Sequence, residues 1–232
     1  MLSVAILAGG LATRLRPITE TIPKALVDVA GLPFIVRQLL YLRDQRVHKV
    51  VLCIGYLGEM IKSLVGDGSR FGLEVAYSSD GSSLLGTGGA LKKALPLLGN
   101  EFFVLYGDSF LPVDFAAVEK TYLKSGKTAL MTVLANGDQW DKSNVLFSNG
   151  KLLEYNKHAP RSDMTYIDYG LGVISARVMD AYPTALPFDL ADVYQALSMQ
   201  GQLAGMEMHE RFYEIGSLSG LKETEAYFLT KE

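Results

Sequence analysis

Residues 4–31 read V-A-I-L-A-G-G-L-A-T-R-L-R-P-I-T-E-T-I-P-K-A-L-V-D-V-A-G, and their opening run, Val4–Ala8, is apolar throughout. An uninterrupted apolar run of this length is typical of a strand buried on both faces of a parallel sheet. Gly9 and Gly10 follow, and residues without a Cβ let the main chain approach a ligand closely. Consecutive backbone N–H groups in such a turn form a concavity for phosphate oxygens. These residues therefore predict an anion site at the carboxyl end of the first strand, where open α/β sheets bind ligands.

Two cations in the same stretch suit an anion site. Arg14 can hold a pair of anionic oxygens at once, and Lys24 supplies a compact positive charge. The alternative is that Gly9-Gly10 makes an ordinary tight turn, which is common after a strand. Neither G-x-G-x-x-G nor G-x-x-x-x-G-K-[ST] occurs in the chain, so the patterns of dinucleotide-binding folds and P-loops are not indicated.

Length and composition limit the classes of protein. The 232 residues can make one large domain or two small ones, and 49% hydrophobic residues suffice for a sizeable core. No apolar run approaches the ~20 residues that span a bilayer, and no basic segment precedes an apolar one at the N-terminus. We expect a soluble, cytoplasmic protein that does not bind membranes. Cys53 is the single cysteine, which excludes an internal disulfide, and the net charge of −3 without a basic stripe gives no sign of nucleic-acid binding.

The order of the predicted elements indicates a parallel sheet with right-handed crossovers. Strands are predicted at 4–8, 49–54, 73–77, 101–106 and 127–134, with helices between them. Beyond residue 135 the pattern changes, because Asn149-Gly150 is a strong hairpin signal within residues 144–155. Two glycines interrupt the predicted strand Tyr166–Ser175, which indicates a bulge or a close neighbour of the backbone. Ser217 is the expected N-cap of a final helix that runs to Leu229.

Two further segments suit ligand binding at the same edge of the sheet. Residues 78–90 are rich in glycine and small polar residues, and they lead into a helix predicted at 90–98. Their glycines could form a floor for a flat ring, and the alternative is a flexible connection. Asp108 follows the predicted strand 101–106, where a carboxylate can hold a hard cation. The alternative for a lone aspartate there is a helix cap or an Asx turn.

Taken together, the motifs resemble those of the sugar-1-phosphate nucleotidylyltransferases in their short form, without a β-helix domain. The string L-A-G-G-x-x-T-R-L-x-P-x-T, with P-K-A-L and G-x-P after it, resembles the opening signature of that family. L-G-T-G-G-A-L is similar to its second motif, and V-L-x-G-D to its metal-aspartate signature. The resemblance implies an enzyme that makes NDP-sugar and pyrophosphate from an NTP and a sugar 1-phosphate, with Mg²⁺ as cofactor, by in-line displacement.

The resemblance also implies roles for particular residues. The catalytic residues would be Arg14, Lys24 and Asp108. The Mg²⁺ ligands would be Asp108 and Glu214. The nucleotide would lie against Leu7, Ala8, Gly9, Gly10, Thr13, Gly86, Thr87 and Gly88. The sugar phosphate would lie against Asn156, Lys157, Asp168 and Gly170.

The implied fold is a single α/β domain over residues 1–232. It is Rossmann-like, with a mostly parallel twisted sheet, helices on both faces and a small β-rich sugar-binding insertion. Residues 1–134 would form the nucleotide-binding core. Residues 135–232 would form the part that binds the sugar phosphate, together with the C-terminal helix.

Six residues depart from the family pattern. Ala12 replaces the usual glycine, and we expect a slightly shifted loop. Ser83 and Leu84 replace an acidic residue or glutamine followed by proline. The sequence therefore does not determine whether the nucleotide is GTP, UTP or CTP. Asn156 replaces a glutamate, and Asp168 lies where an asparagine is usual. Glu214 replaces the aspartate that is the family's second metal ligand.

These departures keep two alternative functions open. One is the same chemistry on a non-sugar acceptor of phosphocholine or phosphonate type. The other is a non-catalytic nucleotide-binding regulatory module, against which the retained charged residues speak. The sequence leaves open the sugar and the oligomeric state, a homodimer included.

Overall fold

The computed structural model of the protein describes residues 1–81, 83–184 and 186–231. Within these residues, the strands of the main sheet are β1 (Ser3–Ala8), β2 (Lys49–Ile54), β3 (Glu74–Ser79), β4 (Glu101–Tyr106), β5 (Ala129–Ala135), β6 (Val145–Ser148), β7 (Lys151–Tyr155), β8 (Tyr166–Ser175) and β9 (Leu203–Met208). The α-helices are α1 (Phe34–Asp44), α2 (Gly58–Val65), α3 (Gly86–Ala94), α4 (Phe115–Ser125), α5 (Leu190–Met199) and α6 (Leu218–Leu229).

The sheet has a parallel half and a mixed half. Strands β3, β2, β1 and β4 lie side by side and are all parallel. Strand β8 runs antiparallel to β4 on one side and to β5 on the other, and β9 pairs parallel with β5. The β6–β7 hairpin joins the amino end of β8 through Tyr166 and Val145. The predicted mostly parallel sheet, with a small β-rich addition, is therefore confirmed.

Helices cover both faces of the sheet, as predicted. Val4 and Ile6 of β1 belong to one buried cluster with apolar residues of α1, α2 and α4. Ala5, between them, points to the opposite face, where the cluster contains Leu91 of α3 and Leu190 of α5. Since side chains alternate along a strand, one apolar run can supply both cores. This explains why the run Val4–Ala8 within the opening strand has no polar position.

The hairpin and the last cap are confirmed, and one helix begins earlier than predicted. Asn149 and Gly150 lie between β6 and β7 with φ angles of 49° and 72°. The side chain of Ser217 accepts a hydrogen bond from the backbone N–H of Gly220 at the start of α6. Helix α3 begins at Gly86 and not at residue 90, so most of the second glycine motif is helical. Ser82, within the motif at residues 78–90, lies outside the described residues.

A short C-terminal strand, Tyr213–Glu214, lies at the carboxyl end of the sheet and is called the strap. Tyr213–Glu214 pairs antiparallel with Ser109–Phe110, directly after Asp108. Helix α6 follows the strap, and Phe228 packs in a buried cluster with Phe110 and Ile215. The strap therefore brings the last part of the chain to the end of β4. In the described part of the chain, none of the helices is both long and apolar enough to cross a membrane.

Gly107, between β4 and Asp108, packs closely against the end of β1. A Cβ at Gly107 would be 2.7 Å from the Leu7 carbonyl oxygen and 3.0 Å from the Ala8 Cβ. We expect Gly107→Ala to lower the free energy of unfolding by about 1–3 kcal/mol, because overpacking against backbone cannot relax easily. Urea unfolding measures this change.

Gly99→Ala is the matched control, since its added Cβ would have 3.7 Å to its nearest neighbour, the Glu101 carbonyl oxygen. Equal stabilities of the two variants would contradict the close approach described at Gly107.

Candidate active site

Two adjoining cavities open at the carboxyl ends of β1 and β4. The smaller, of about 250 Å³, is lined by the turn after β1 and the start of α3. The larger, of about 1040 Å³, lies between the strap, the β6–β7 hairpin and β8. Tyr106 and Asp108 line both cavities. An aspartate at the end of β4 is therefore placed where ligands in the two cavities would meet.

The smaller cavity brings together most of the residues predicted to bind a nucleotide. Its walls include Leu7, Ala8, Gly9, Gly10, Gly86 and Thr87, with Lys24 and Asp108. A Cβ at Gly10 would meet nothing within 4 Å, so its backbone faces open space. Thr13 and Gly88 are not among the described residues that line this cavity.

The glycines of the second motif leave space that another segment of the chain, at Phe188, occupies. A Cβ at Gly86 would be 2.5 Å from the carbonyl oxygen of Phe188, and one at Gly88 would be 2.3 Å from the Phe188 ring. The backbone N–H of Gly88 also donates to that carbonyl at 3.0 Å. These glycines therefore let the segment before α5 pack against α3. The expectation that they form a bare floor for a ring remains a hypothesis for Gly86 alone, which lines the cavity.

Asp108 is held by a lysine and by the turn that carries it. Lys24 Nζ lies 2.8 Å from Asp108 Oδ2, with both side chains partly buried. Gln38, buried on α1, donates from Nε2 to the carbonyl oxygens of Tyr106 at 3.0 Å and Ser109 at 2.8 Å. One side-chain amide thus fixes both ends of the turn around Asp108. Nothing in the sequence indicates this role of Gln38, because a glutamine within an amphipathic helix has no signal of its own.

Arg14, Asp108 and Glu214 converge on one point. A Cβ on Gly216 would lie 2.5 Å from Glu214 Oε2, 3.2 Å from Arg14 Nη2 and 3.5 Å from Asp108 Oδ2. The strap accounts for this arrangement, because Glu214 pairs with Ser109 and the N–H of Ile215 donates to the Asp108 carbonyl. Residues far apart in sequence thus form one charged centre of two acids and a guanidinium.

The Glu214 carboxylate is already bound by the protein. It accepts hydrogen bonds from the N–H of Gly216 and from the Ser217 hydroxyl, the latter at 2.7 Å. Both donors lie at the start of α6, where anionic groups are favoured. Within the described residues, no group of three or more acidic, histidine or cysteine side chains could hold a metal ion. Two converging carboxylates still fit Mg²⁺, which binds through one or two carboxylates plus substrate phosphates and waters.

The larger cavity contains most of the residues predicted to bind the acceptor. Lys157, Asp168 and Gly170 line it, whereas Asn156 is not among the described lining residues and accepts a hydrogen bond from Ala159 N–H. Burial raises the pKa of Asp168 to about 6, although the Gly170 N–H at 3.0 Å and the nearby Lys157 act against the rise. Asp168 is therefore an acceptor of hydrogen bonds that is costly to leave unpartnered.

Lys157 also has an acidic partner at the start of a helix. Its Nζ lies 2.8 Å from Oδ2 of Asp189, the N-cap of α5. Nothing in the spacing of these residues indicates the pair, because they meet through tertiary packing alone.

Ala12 has a left-handed backbone, with φ 50° and ψ 43°. The glycine that is usual in the resembling family would adopt this conformation freely, whereas an L-residue pays about 1–2 kcal/mol. We expect Ala12→Gly to raise the free energy of unfolding by about 0.5–1 kcal/mol, after the added entropy of the unfolded chain is subtracted. Urea unfolding is the measurement.

Ala226→Gly, at an exposed position of α6, is the control and should lower that free energy by about 0.5–1 kcal/mol. Destabilisation by both variants would argue against strain at Ala12.

The raised pKa of Asp168 has a consequence for stability. The native state binds the proton more tightly than the unfolded chain, so the stabilisation present below pH 4 is lost as the pH rises to about 6. Asp168→Asn keeps a neutral side chain and should be more stable than the wild type at pH 8 by about 2 kcal/mol. This difference should vanish near pH 4. Unfolding free energies measured across this range test the expectation.

Asp163→Asn, on an exposed turn, is the control and should show no such pH-dependent gain. A stability difference for Asp168→Asn that stays constant from pH 4 to pH 8 would refute the raised pKa.

Comparisons with known proteins identify the family of the chain. Residues 3–143 match the family model described as nucleotidyl transferase. The chain is 29% identical, over 95% of its length and 96% of the relative's, to N-acetylmuramate alpha-1-phosphate uridylyltransferase of Neisseria meningitidis serogroup B. It is 30% identical to UTP–glucose-1-phosphate uridylyltransferase of Synechocystis, over 84% of this chain and 55% of that protein.

Solved structures give the same picture. A crystal structure of HddC from Yersinia pseudotuberculosis complexed with GMP-PN has a TM-score of 0.81 and 25% identity, and the match covers 98% of this chain and 100% of that chain. The family model spans more than half of the sequence and includes the turn after β1, Lys24 and Asp108. The chain therefore belongs to the nucleotidyl transferase family, as its resemblance to sugar-1-phosphate nucleotidylyltransferases predicted.

Proposed function

We propose that the protein transfers a nucleoside monophosphate from an NTP to a sugar 1-phosphate, with release of pyrophosphate. The observation that carries this proposal is the convergence of Arg14, Asp108 and Glu214 beside Gly216. All three line the larger cavity, and Asp108 lines the smaller one as well. Two phosphorylated substrates that react with each other need adjoining pockets and positive charge where their phosphates meet. The uridylyltransferase relatives are named for this chemistry.

The acceptor phosphate is itself the nucleophile. One of its oxygens attacks the α-phosphorus of the NTP in line with the departing pyrophosphate, and no covalent intermediate on the enzyme is required. Because the nucleophile is already anionic, no general base is needed, and catalysis rests on positioning and charge neutralisation. The backbone at Gly9 and Gly10 receives the nucleotide phosphates, and Arg14 holds the pyrophosphate.

Two lysines complete the charge balance. Lys24, already paired with Asp108, lies in the nucleotide cavity and neutralises charge near the α-phosphorus. Lys157 lies in the larger cavity and binds the phosphate of the acceptor. Asp108 and Glu214 would hold Mg²⁺, which supplies charge neutralisation between the phosphate groups when bound.

The larger cavity suits an acceptor with many hydroxyl groups. Asp168 accepts hydrogen bonds, and the Asn144 side chain, whose Oδ1 accepts from the Asp168 N–H at 3.0 Å, has its amide N–H₂ to donate. Both line the cavity, as do Lys142 and Arg211. Its volume of about 1040 Å³ leaves room for a substituted sugar such as the N-acetylmuramate 1-phosphate named for one relative.

A matrix of nucleotides and acceptors tests the proposal. GTP, UTP, CTP and ATP are each combined with the 1-phosphates of N-acetylmuramate, glucose, mannose and D-glycero-D-manno-heptose, and with phosphocholine as a non-sugar acceptor. We expect pyrophosphate release with at least one sugar 1-phosphate, dependent on Mg²⁺ and abolished by EDTA. Release with phosphocholine alone, or with none of the acceptors, would contradict the proposed function.

Asp108→Asn tests the charged centre with the pair that is most active in the matrix. We expect kcat to fall at least 100-fold, which is about 2.7 kcal/mol on the barrier, because a carboxylate that binds the cation becomes a neutral amide. Asp114→Asn is the matched control, since Asp114 caps α4 outside both cavities and asparagine retains the cap. An active Asp108→Asn variant would remove Asp108 from the site.

A further inference from the structure

One carboxylate links the two halves of the site. Asp189 Oδ1 accepts hydrogen bonds from the Thr87 hydroxyl at 2.7 Å and from the Ala191 N–H at 3.0 Å. Its other oxygen, Oδ2, accepts from Lys157 Nζ at 2.8 Å. Thr87 lines the smaller cavity and Lys157 the larger one. Asp189 thus connects a residue of the proposed nucleotide side to a residue of the proposed acceptor side.

The Thr87 hydroxyl both donates and accepts a hydrogen bond. It donates to Asp189 and accepts from the N–H of Leu190 at 2.8 Å. These two bonds join the first turn of α3 to the first turn of α5, beside the close packing of Phe188 on Gly86 and Gly88. The position of Asp189 is therefore set by the nucleotide side, independently of Lys157.

The strand that leads to Lys157 is anchored to the same helix. The Tyr155 N–H, at the end of β7, donates to Ser198 Oγ of α5 at 3.1 Å. The rings of Tyr155 and Tyr194 pack edge to face, with centroids 6.2 Å apart. Lys157 comes two residues later, and its side chain is half exposed. Its backbone is thus held near α5, while its ammonium group depends on Asp189 for its direction.

Asp189 stays ionised at all working pH values. Burial acts to raise its pKa, but the hydrogen bonds from Ala191, Lys157 and Thr87 lower that pKa to about 2. An exposed ion pair usually contributes little, because two flexible side chains must be ordered. Here the carboxylate is already fixed by two other donors, so only the lysine has to be ordered.

We propose that Asp189 is a positioning residue, which links the Lys157 ammonium to Thr87 and so holds it in the larger cavity, close to a residue that lines the smaller one. In this arrangement an acceptor phosphate meets a lysine that is already directed toward the bound nucleotide. The inference rests on the proposed function, in which Lys157 binds the acceptor phosphate. Asp189 acts through Lys157 and touches neither substrate.

Asp189→Asn removes the ion pair with Lys157 without removing the helix cap. Asparagine can still accept from Thr87 and Ala191 through Oδ1, but it carries no charge for Lys157. With the most active pair of the substrate matrix, we expect the acceptor KM to rise about 10-fold, with kcat and the NTP KM each within 3-fold of wild type. Asp192→Asn is the matched control, since it breaks the neighbouring exposed pair with His158 and should change neither KM.

A double-mutant cycle shows whether Asp189 acts through Lys157. Lys157→Met alone should raise the acceptor KM, and adding Asp189→Asn should change it by less than 2-fold. Multiplied effects in the double variant, or an acceptor KM for Asp189→Asn within 2-fold of wild type, would overturn the positioning role and leave the proposed function intact. An inactive wild type throughout the matrix would overturn both. Urea unfolding of each variant confirms that it is folded.

Discussion

The site depends on holding two carboxylates, Asp108 and Glu214, close together at one edge of the sheet. Like charges at short range repel, and the repulsion is strongest where water is scarce. The protein offsets it with three different kinds of donor. Lys24 pairs with Asp108, the start of α6 donates to Glu214, and the Arg14 guanidinium lies beside both acids. The centre is therefore near balance before any substrate arrives.

The rest of the fold holds these charged groups in position. Asp108 stands on a turn whose two ends are tied to one amide of Gln38, and Gly107 beneath it packs against Leu7. Glu214 is brought to Asp108 by the strap, which is only two residues long and is held in place by the aromatic cluster around Phe110. A parallel sheet supplies the common edge, because its strands all end on the same side. Precision at the site thus comes from backbone contacts more than from the charges themselves.

Sequence patterns predicted the elements that short-range physics determines. The apolar run Val4–Ala8 identified a doubly covered strand, Asn149-Gly150 identified a hairpin and Ser217 a helix cap. The opening motif led to the family, and most of the residues it implied line the two cavities.

What the sequence could not reveal involves long-range packing. Phe188 occupies the space that Gly86 and Gly88 leave open, which no local pattern of glycines records. Asp189 reads as an ordinary helix cap until α3 and β7 are seen beside it. The earlier start of α3 has the same origin, because glycines are poor helix formers and tertiary contacts overrode that preference.

The strap has a consequence for how the protein comes into being. A chain is synthesised from its amino end, and contacts between distant segments form late because closing a long loop costs entropy. The turn after β1 and the aspartate after β4 can therefore fold on the ribosome well before residues 213–214 emerge. Until then the charged centre lacks one of its two acids, even where the parallel half of the sheet has already formed. The charged centre would then be completed in a single late step, when the C-terminal segment docks.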